Sequence, residues 1–86
     1  MDLKENIRQY IAKNMLFSDS FPHSDDASFL EEGIIDSIGF MELVTFVQQT
    51  FTIEVGPEEL VPANFDSVSK LARYIESKRA AVQRAA

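Results

Sequence analysis

Apolar residues recur at intervals of three or four positions in three stretches of the chain, which is the spacing of amphipathic helices. These stretches are residues 3–16, 36–51 and 67–80, the last of them capped by Asp66 or Ser67. The apolar stripe of the first helix is formed by Leu3, Ile7, Tyr10, Ile11 and Leu16. The positions expected to face a shared core in the other two helices are Phe40, Leu43, Val44, Val47 and Phe51, and Val68, Leu71, Ala72 and Ile75.

The segments between these helices indicate loops and one short helix. Residues 17–36 are rich in Ser, Asp and Pro, which predicts a long loop, and Gly33 permits a positive φ before the second helix. The apolar side chains expected to hold this loop on the core are Phe21, Phe29, Leu30, Ile34 and Ile35. Pro57 can begin a short helix, which Pro62 limits to about a turn or two. The pattern predicts an all-α fold, a small four-helix bundle with three main helices, one short helix and a long loop between the first and second helices.

Length and composition narrow the class of protein. The chain has 86 residues, so one domain over residues 1–86 is expected, with residues 81–86 as a frayed tail. A net charge of −6 argues against nucleic acid and anionic membranes as partners. The absence of cysteine and the single histidine exclude thiolate and multi-histidine metal sites. No apolar run is long enough for a membrane span and no signal-peptide pattern begins the chain, so a cytoplasmic location is expected.

Charge is distributed unevenly along the chain. All eight basic residues lie near its ends, and no Lys or Arg occurs between Asn14 and Ser69. That stretch contains eleven acidic residues: Asp19, Asp25, Asp26, Glu31, Glu32, Asp36, Glu42, Glu54, Glu58, Glu59 and Asp66. A solvated acidic surface is one interpretation. The other is a negative field that attracts a basic partner and speeds the encounter with it.

Asp36 and Ser37 stand where the long loop meets the second helix. A serine on the first turn of a helix is exposed on a rigid base, and a phosphate bonded to Ser37 would lie beside free backbone N–H groups. An Asp-Ser pair alone is commonly only a helix cap. Three further features favour a docking site: Ile38 and Met41 lie off the core-facing stripe, Gly39 is expected to leave space beside the serine, and acids surround it, namely Glu31, Glu32, Asp36 and Glu42.

The sequence gives weak support to other chemistry. A serine nucleophile needs a base and an oxyanion site, and the only histidine, His23, lies in a loop with no second feature of a triad. The acid pairs at 31–32 and 58–59 are expected to be solvated, and residues 25–31 lack the order of ligands in a calcium loop. No catalytic residue and no metal ligand is therefore predicted. An unmodified acidic adaptor that binds a basic protein through the same face stays an open alternative.

Over residues 3–80 the sequence resembles the acyl carrier and peptidyl carrier protein family. The centre of the resemblance is residues 33–38, Gly-Ile-Ile-Asp-Ser-Ile, in which Ile replaces Leu in the family's Asp-Ser-Leu attachment motif. Residues 42–44, 51–55 and 57–60 also have equivalents in the family. The resemblance indicates a discrete carrier with a four-helix frame.

The resemblance implies that Ser37 receives 4′-phosphopantetheine from CoA through a separate phosphopantetheinyl transferase. The thiol of this arm carries acyl or aminoacyl groups as thioesters, so the chain itself is not expected to be an enzyme. Asp36 would help to coordinate the metal ion of the transferase. Enzymes with basic patches would dock on the helix after the serine, and the short helix would border the arm and its cargo. The residues implied in these contacts are Ile38, Met41, Glu42, Glu58 and Val61.

One departure from the family narrows the pathway. Carriers of primary fatty-acid synthesis usually have acids before the position of Phe51, where this chain has Gln48, Gln49 and Thr50. It looks closer to stand-alone carriers that an adenylate-forming ligase loads in specialised acyl, aminoacyl or D-alanyl pathways. A primary fatty-acid carrier stays an alternative, and a monomer is expected. Bulky residues of the second helix, namely Phe40, Phe46 and Phe51, are expected to favour small or solvent-exposed cargo.

Overall fold

The computed structural model describes the backbone of residues 2–85 and the side chains of residues 2–80. Every regular element in this part of the chain is helical, which confirms the predicted all-α fold. Four helices follow in chain order: α1 (Leu3–Asn14), α2 (Ser37–Phe51), α3 (Pro62–Phe65) and α4 (Val68–Ala85). A 3₁₀ turn (Pro57–Glu59) precedes α3. None of the helices within residues 2–85 combines the length and the apolar character needed to cross a membrane.

The helix boundaries agree with the sequence prediction except at the end of α1, around the two prolines and at the end of α4. The first helix, predicted over residues 3–16, ends at Asn14. Pro57 begins only a 3₁₀ turn, and Pro62, predicted to limit a short helix, is also the first residue of α3. Proline fits that position because the first N–H of a helix has no partner within the helix. The helix α4 continues to Ala85, past the predicted end at Ala80. Ala86 and the side chains of residues 81–85 lie outside the described residues, so fraying of residues 81–86 stays a prediction.

The core is formed by one apolar side of each long helix together with residues of the long loop. Its buried members are Ile7, Ile11, Phe29, Ile34, Ile35, Leu43, Val44, Val47, Ile53, Phe65, Val68, Leu71, Ala72, Tyr74 and Ile75. The other predicted apolar positions, Leu3, Tyr10, Leu16, Phe40 and Phe51, are partly buried at its edge. The prediction that Leu30 holds the loop on the core is wrong, since 45% of its surface is exposed. Its neighbour Phe29 is fully buried and takes the interior position in that turn.

The long loop is attached to the start of α4 through the buried residue Asp66. The Asp66 carboxylate accepts hydrogen bonds from the Ser28 hydroxyl and, at 3.0 Å, from the Leu30 N–H. The Phe29 N–H donates to the Asp66 carbonyl oxygen, also at 3.0 Å. Because Asp66 is used in this way, the cap of α4 is Ser67, whose hydroxyl oxygen accepts a backbone N–H of the first turn at 3.0 Å.

A second attachment joins the loop to both α1 and α4. Arg8 of α1 donates two hydrogen bonds to the Asp25 carboxylate, from Nε at 2.7 Å and from Nη2 at 2.6 Å. The Asp25 carbonyl oxygen accepts the Ser69 N–H of α4 at 2.9 Å. Hydrogen bonding to the Arg8 guanidinium lowers the pKa of the Asp25 carboxyl below its usual value. This two-point contact fixes the orientation of both side chains as well as their separation.

Glu59 ties the 3₁₀ turn to α4. Its carboxylate accepts hydrogen bonds from the Tyr74 hydroxyl at 2.7 Å, the Gly56 N–H at 3.0 Å and the Lys78 ammonium at 3.1 Å. These three donors, the Tyr74 hydroxyl foremost, lower the pKa of Glu59 to about 2. Burial, followed by the hydrogen bond to Glu59, raises the pKa of Tyr74. The turn is thereby held against the last long helix.

Replacing Asp66 with Ala tests the attachment of the loop. The change leaves the Ser28 hydroxyl and the Leu30 N–H without their acceptor, so we expect the free energy of unfolding to fall by about 2–3 kcal/mol. Chemical denaturation at neutral pH measures this loss. Asp19→Ala, at an exposed position of the same loop, is the control and should cost less than about 0.5 kcal/mol. Equal, small losses in both variants would contradict a role for the Asp66 carboxylate.

Glu59→Gln tests the cluster that holds the 3₁₀ turn. The folded-state pKa of about 2 lies below the usual 4.5, so the ionised carboxylate stabilises the fold above pH 4.5 and this contribution disappears as the pH falls towards 2. We therefore expect the wild type to lose more thermal stability than Glu59→Gln over this interval. Thermal unfolding at a series of pH values measures the difference. Parallel curves for the two proteins would show that Glu59 is not responsible.

Candidate functional site

Ser37 is the first residue of α2 and its side chain is exposed to solvent. Asp36 is the N-cap, with extended backbone angles, and its Oδ1 accepts the Gly39 N–H at 2.8 Å. This confirms the cap predicted from the sequence. Since the cap hydrogen bond is made by Asp36, it does not occupy the Ser37 hydroxyl. The site therefore presents a free-standing serine oxygen at the start of a fifteen-residue helix.

The start of α2 offers a suitable electrostatic environment for an anion on Ser37. The first N–H groups of a helix have no acceptors within it, and the helix dipole places positive potential at this end. The Gly39 N–H donates to Asp36. The N–H groups of Ser37 and Ile38, which come before Gly39 in the first turn, are the donors nearest to the serine oxygen in sequence. A phosphate ester on the serine oxygen would lie near these donors.

The end of the long loop is built to hold Asp36 and Ser37 in place. Gly33 adopts a φ of +69°, a conformation that side-chain-bearing residues rarely take, which confirms the role predicted for it. The next two residues, Ile34 and Ile35, are buried, and their N–H groups donate to the Phe29 carbonyl oxygen at 2.9 and 3.2 Å. The buried isoleucine pair thus anchors the chain immediately before the helix cap.

Gly39 is required by the packing of this loop end and not by an empty space beside the serine. A Cβ at this position would lie 2.9 Å from Ile35 Cγ2 and 3.3 Å from Asp36 Oδ1. The volume that the missing side chain leaves is therefore taken by the loop and by the cap itself. The sequence interpretation, in which Gly39 leaves room next to Ser37, is wrong on this point. The pattern of residues along α2 does not show that the side chain of Ile35, at the end of the long loop, packs against the helix at Gly39.

An open groove of about 370 Å³ lies beside the cap, between α2 and the end of α1. On the α2 side it is lined by Asp36, Ile38 and Glu42, three of the residues predicted from the sequence. Asn14 and Met15 line it from the end of α1. Sequence reasoning missed these two residues because they stand where the apolar stripe of α1 stops, and no pattern within α1 indicates what lies across from them.

The other predicted partner-binding residues lie outside this groove. Met41 is 55% exposed on α2 but does not line it. Glu58 is exposed in the 3₁₀ turn and lines a separate groove with Lys78 and Glu54. Val61, immediately before α3, is 38% exposed. The predicted residues are therefore accessible, but Met41, Glu58 and Val61 do not line the groove that Ile38 and Glu42 share.

The residues considered for other chemistry are not assembled into a site. His23 is exposed, as predicted, and its ring lies edge-on to Phe21 with the centroids 5.4 Å apart. Within the part of the chain that the structure describes, no three His, Asp or Glu side chains are placed to hold a metal ion. The acids nearest Ser37 in sequence, Glu31, Glu32, Asp36 and Glu42, are all exposed.

Comparison with known proteins identifies the class of site. The family described as "Phosphopantetheine attachment site" matches residues 5–75 of this chain. A "Probable acyl carrier protein PigG" of Serratia sp. (strain ATCC 39006) is 26% identical over 78 residues, which are 91% of this chain and 90% of that protein. The "D-alanyl carrier protein" of Streptococcus pyogenes serotype M1 is 25% identical over 76 residues, covering 88% of this chain and 94% of the relative. That of Abiotrophia defectiva is 26% identical over 57 residues, 66% of this chain and 72% of its own.

Gly39→Ala tests the packing behind the site. Inside a helix this change normally stabilises by up to about 1 kcal/mol, but here the new methyl group would collide with the buried side chain of Ile35. We expect Gly39→Ala to lower the free energy of unfolding by about 1 kcal/mol instead. In an Ile35→Ala background, chemical denaturation should show the opposite sign, because the colliding atom is gone. Stabilisation by Gly39→Ala in both backgrounds would refute the contact.

Proposed function

We propose that phosphopantetheine is attached to Ser37. The premise is that the chain belongs to the family of phosphopantetheine attachment domains, whose model matches residues 5–75. Phosphopantetheine is the cofactor of the family, and residues 5–75 include the whole of α2 and its cap. The observation that supports this assignment is that Ser37 is exposed at the first position of α2. Its hydroxyl is left free because Asp36 makes the cap hydrogen bond.

The residues at this position fit the group. A transferase can reach the Ser37 oxygen because the residue is exposed. The phosphate of the arm would be stabilised by the N–H groups at the start of α2 and by the helix dipole. Asp36 uses Oδ1 for the cap, and we propose that this exposed carboxylate also helps to coordinate the metal ion of the transferase.

In the proposed modification the Ser37 oxygen forms a bond to the phosphorus of the phosphopantetheine part of CoA, which gives a phosphodiester. The bond from this phosphorus to the oxygen of the nucleotide's phosphate breaks, the nucleotide leaves with that phosphate, and the hydroxyl proton passes to the transferase. The attached group supplies the thiol on which acyl groups are carried. This chain has no cysteine of its own, so its contribution is to hold the serine on a rigid helix and to present the arm to other enzymes. Catalysis is proposed to lie with those enzymes, in the cytoplasm.

The cargo is proposed to be an acyl or aminoacyl group loaded by an adenylate-forming ligase in a specialised pathway. Relatives along most of this chain are named as an acyl carrier and as D-alanyl carriers, which supports both cargo classes. The segment Gln48–Thr50 lacks the acids of a primary fatty-acid carrier. Aromatic packing supports a small or solvent-exposed cargo: Phe40 lies against the fully buried Phe65 with ring centroids 5.8 Å apart.

Partner enzymes are proposed to dock on the exposed side of α2. Ile38 is 74% exposed and Met41 55% exposed, and apolar side chains left in solvent beside a modified residue are typical of interaction surfaces. Glu42 adds a carboxylate that a basic patch can pair with. Glu58 and Val61 are proposed to border the arm and its cargo from the 3₁₀ turn and the start of α3.

Ser37→Ala tests the attachment site. The purified wild type, incubated with CoA and a broad-specificity phosphopantetheinyl transferase, should gain the mass of one phosphopantetheine group, as measured by intact-protein mass spectrometry. Ser37→Ala should gain nothing, because the proposed acceptor oxygen is removed. Ser20→Ala, at an exposed position of the long loop, is the matched control and should be modified like the wild type.

Two results would overturn this proposal. Modification of Ser37→Ala would show that another residue carries the group. Failure of the folded wild type to gain mass with several transferases would favour the alternative, an unmodified adaptor. Circular dichroism of Ser37→Ala is the control for loss of the fold. We expect its spectrum to match that of the wild type, because Ser37 is exposed and its side chain is not part of the core.

A further inference from the structure

The open groove beside the cap is next to the serine in the chain as well as in space. Asp36 and Ile38, the two neighbours of Ser37 in sequence, both line this groove of about 370 Å³. Met15 lines it from the end of α1 and reaches across to α2, since a Cβ at Gly39 would lie 3.9 Å from the Met15 sulfur. A group attached to Ser37 would therefore start at the edge of the groove.

The inner surface of the groove is apolar. Ile34 and Ile35 line it and are only 8% and 4% exposed, so they belong to the core as well. The largely exposed Ile38 and the half-buried Met15 stand on its two sides. An apolar group that lay between them would take the surfaces of these side chains out of water, which is favourable.

The polar side chains of the groove offer hydrogen-bond acceptors. Asp36 uses Oδ1 for the cap and has Oδ2 besides. The Asn14 side-chain nitrogen donates to the Tyr10 carbonyl oxygen at 3.0 Å, a hydrogen bond that does not use Asn14 Oδ1. Glu42 adds an exposed carboxylate. Among the described residues that line the groove none is Lys, Arg or His, so it suits a ligand that supplies N–H or O–H donors and has no negative charge of its own.

The arm that the proposed function places on Ser37 has this composition. Beyond its phosphate, phosphopantetheine is neutral apart from a small fraction of thiolate at its end. It carries a pair of methyl groups on one carbon, a hydroxyl group and amide groups whose N–H can donate. The methyl groups match the apolar inner surface of the groove, and the donors match its acceptors. The phosphate itself would stay at the start of α2, beside the N–H groups of the helix.

Attachment to Ser37 favours the arm over any free ligand of the groove. A tethered group reaches a neighbouring site at an effective concentration that is about millimolar for a short flexible tether. Contacts that are too weak to hold a free molecule can therefore hold the arm. An open groove also allows the arm to leave again, as a carrier of thioesters requires.

We propose that the groove beside the cap is the resting site of the phosphopantetheine arm. The apolar side chains of the groove contact the neutral part of the arm, and Asn14 and Glu42 accept its hydrogen bonds. The inference rests on the proposed function of Ser37 and gives the end of α1 a role in it. Glu58 and Val61, proposed to border the arm and its cargo, do not line this groove, so the arm would occupy different places at rest and when loaded.

The methionines provide the readout, because Met15 lines the groove whereas Met41 is exposed on α2 outside it. The protein is labelled with 13C in its methionine methyl groups, and NMR spectra are recorded before and after attachment of the unlabelled arm from CoA. We expect the Met15 methyl signal to shift and to show NOEs to the paired methyl groups of the arm. Met41 should show no such NOE. An NOE to Met41 instead, or none to either residue, would overturn the resting site.

A matched pair of variants tests whether the groove holds the arm. Ile38→Asn removes an exposed apolar side chain from the groove, and Leu30→Asn makes a change of the same composition at an exposed position that does not line it. The spectrum of each variant before attachment is its own reference. We expect Ile38→Asn to lower the ratio of held to free arm by about fivefold and Leu30→Asn to stay within about twofold of the wild type. Equal effects of the two changes would contradict the proposal.

The outcomes separate this inference from the proposed function. If the wild type gains no mass with CoA and the transferase, the assignment of Ser37 fails and the resting site falls with it. If it gains mass while Met15 is unaffected, only the resting site is overturned. A Met15 signal that depends on protein concentration before attachment would make a second copy the occupant of the groove. One that responds only when transferase is added would make that enzyme the occupant.

Discussion

The buried carboxylate of Asp66 is the contact on which the position of Ser37 depends. The loop between α1 and α2 has no helix of its own, so it takes its course from what it is attached to. Asp66 holds Ser28 and Leu30, which places Phe29 in the core. The Phe29 carbonyl oxygen then accepts the N–H groups of the two isoleucines that precede the cap. Burying the Asp66 carboxylate is unfavourable, but its hydrogen bonds offset this cost. The same hydrogen bonds fix the loop and therefore the position at which α2 begins.

The elements that the sequence predicts well are those decided by neighbours in the chain. The three long helices and the cap at Asp36 follow from apolar spacing and capping chemistry, which are local. The same reasoning could not decide between Asp66 and Ser67 as the cap of α4, because the answer depends on Ser28, which lies far away in sequence. It also misread Gly39, whose constraint comes from Ile35 folding back on the helix. Within the candidate site, Ser37 could be predicted from the sequence motif around it. That Asn14 and Met15 line the groove beside the cap could be learned only from the structure.

The rigid position of Ser37 and the absence of cysteine from the chain have a common explanation. A protein that imports its reactive group needs a stable attachment point and few reactive side chains of its own. The proposed attachment point, Ser37, is supported from both sides, by the buried isoleucines before it and by the long helix after it. Clusters around Arg8 and Glu59 fasten the loop and the 3₁₀ turn to the other helices. Under the proposed function, the exposed residues beside Ser37 would contact enzymes rather than maintain the fold.

The distribution of charge along the chain acquires a physical meaning once the ion pairs are located. Basic residues from the two ends of the chain neutralise acids that hold the fold together, since Arg8 pairs with Asp25 and Lys78 with Glu59. Within residues 2–80, no ion pair includes the four acids nearest Ser37 in sequence, Glu31, Glu32, Asp36 and Glu42. Of the eleven acids in the middle segment, the ion pairs described within residues 2–80 include Asp25 and Glu59, and the four acids nearest Ser37 in sequence are among the nine that have none. Under the proposed function, the negative field of the unpaired acids would draw a basic enzyme towards Ser37. The sequence shows only that the acids are clustered, and the ion pairs show that Asp25 and Glu59 are used within the fold.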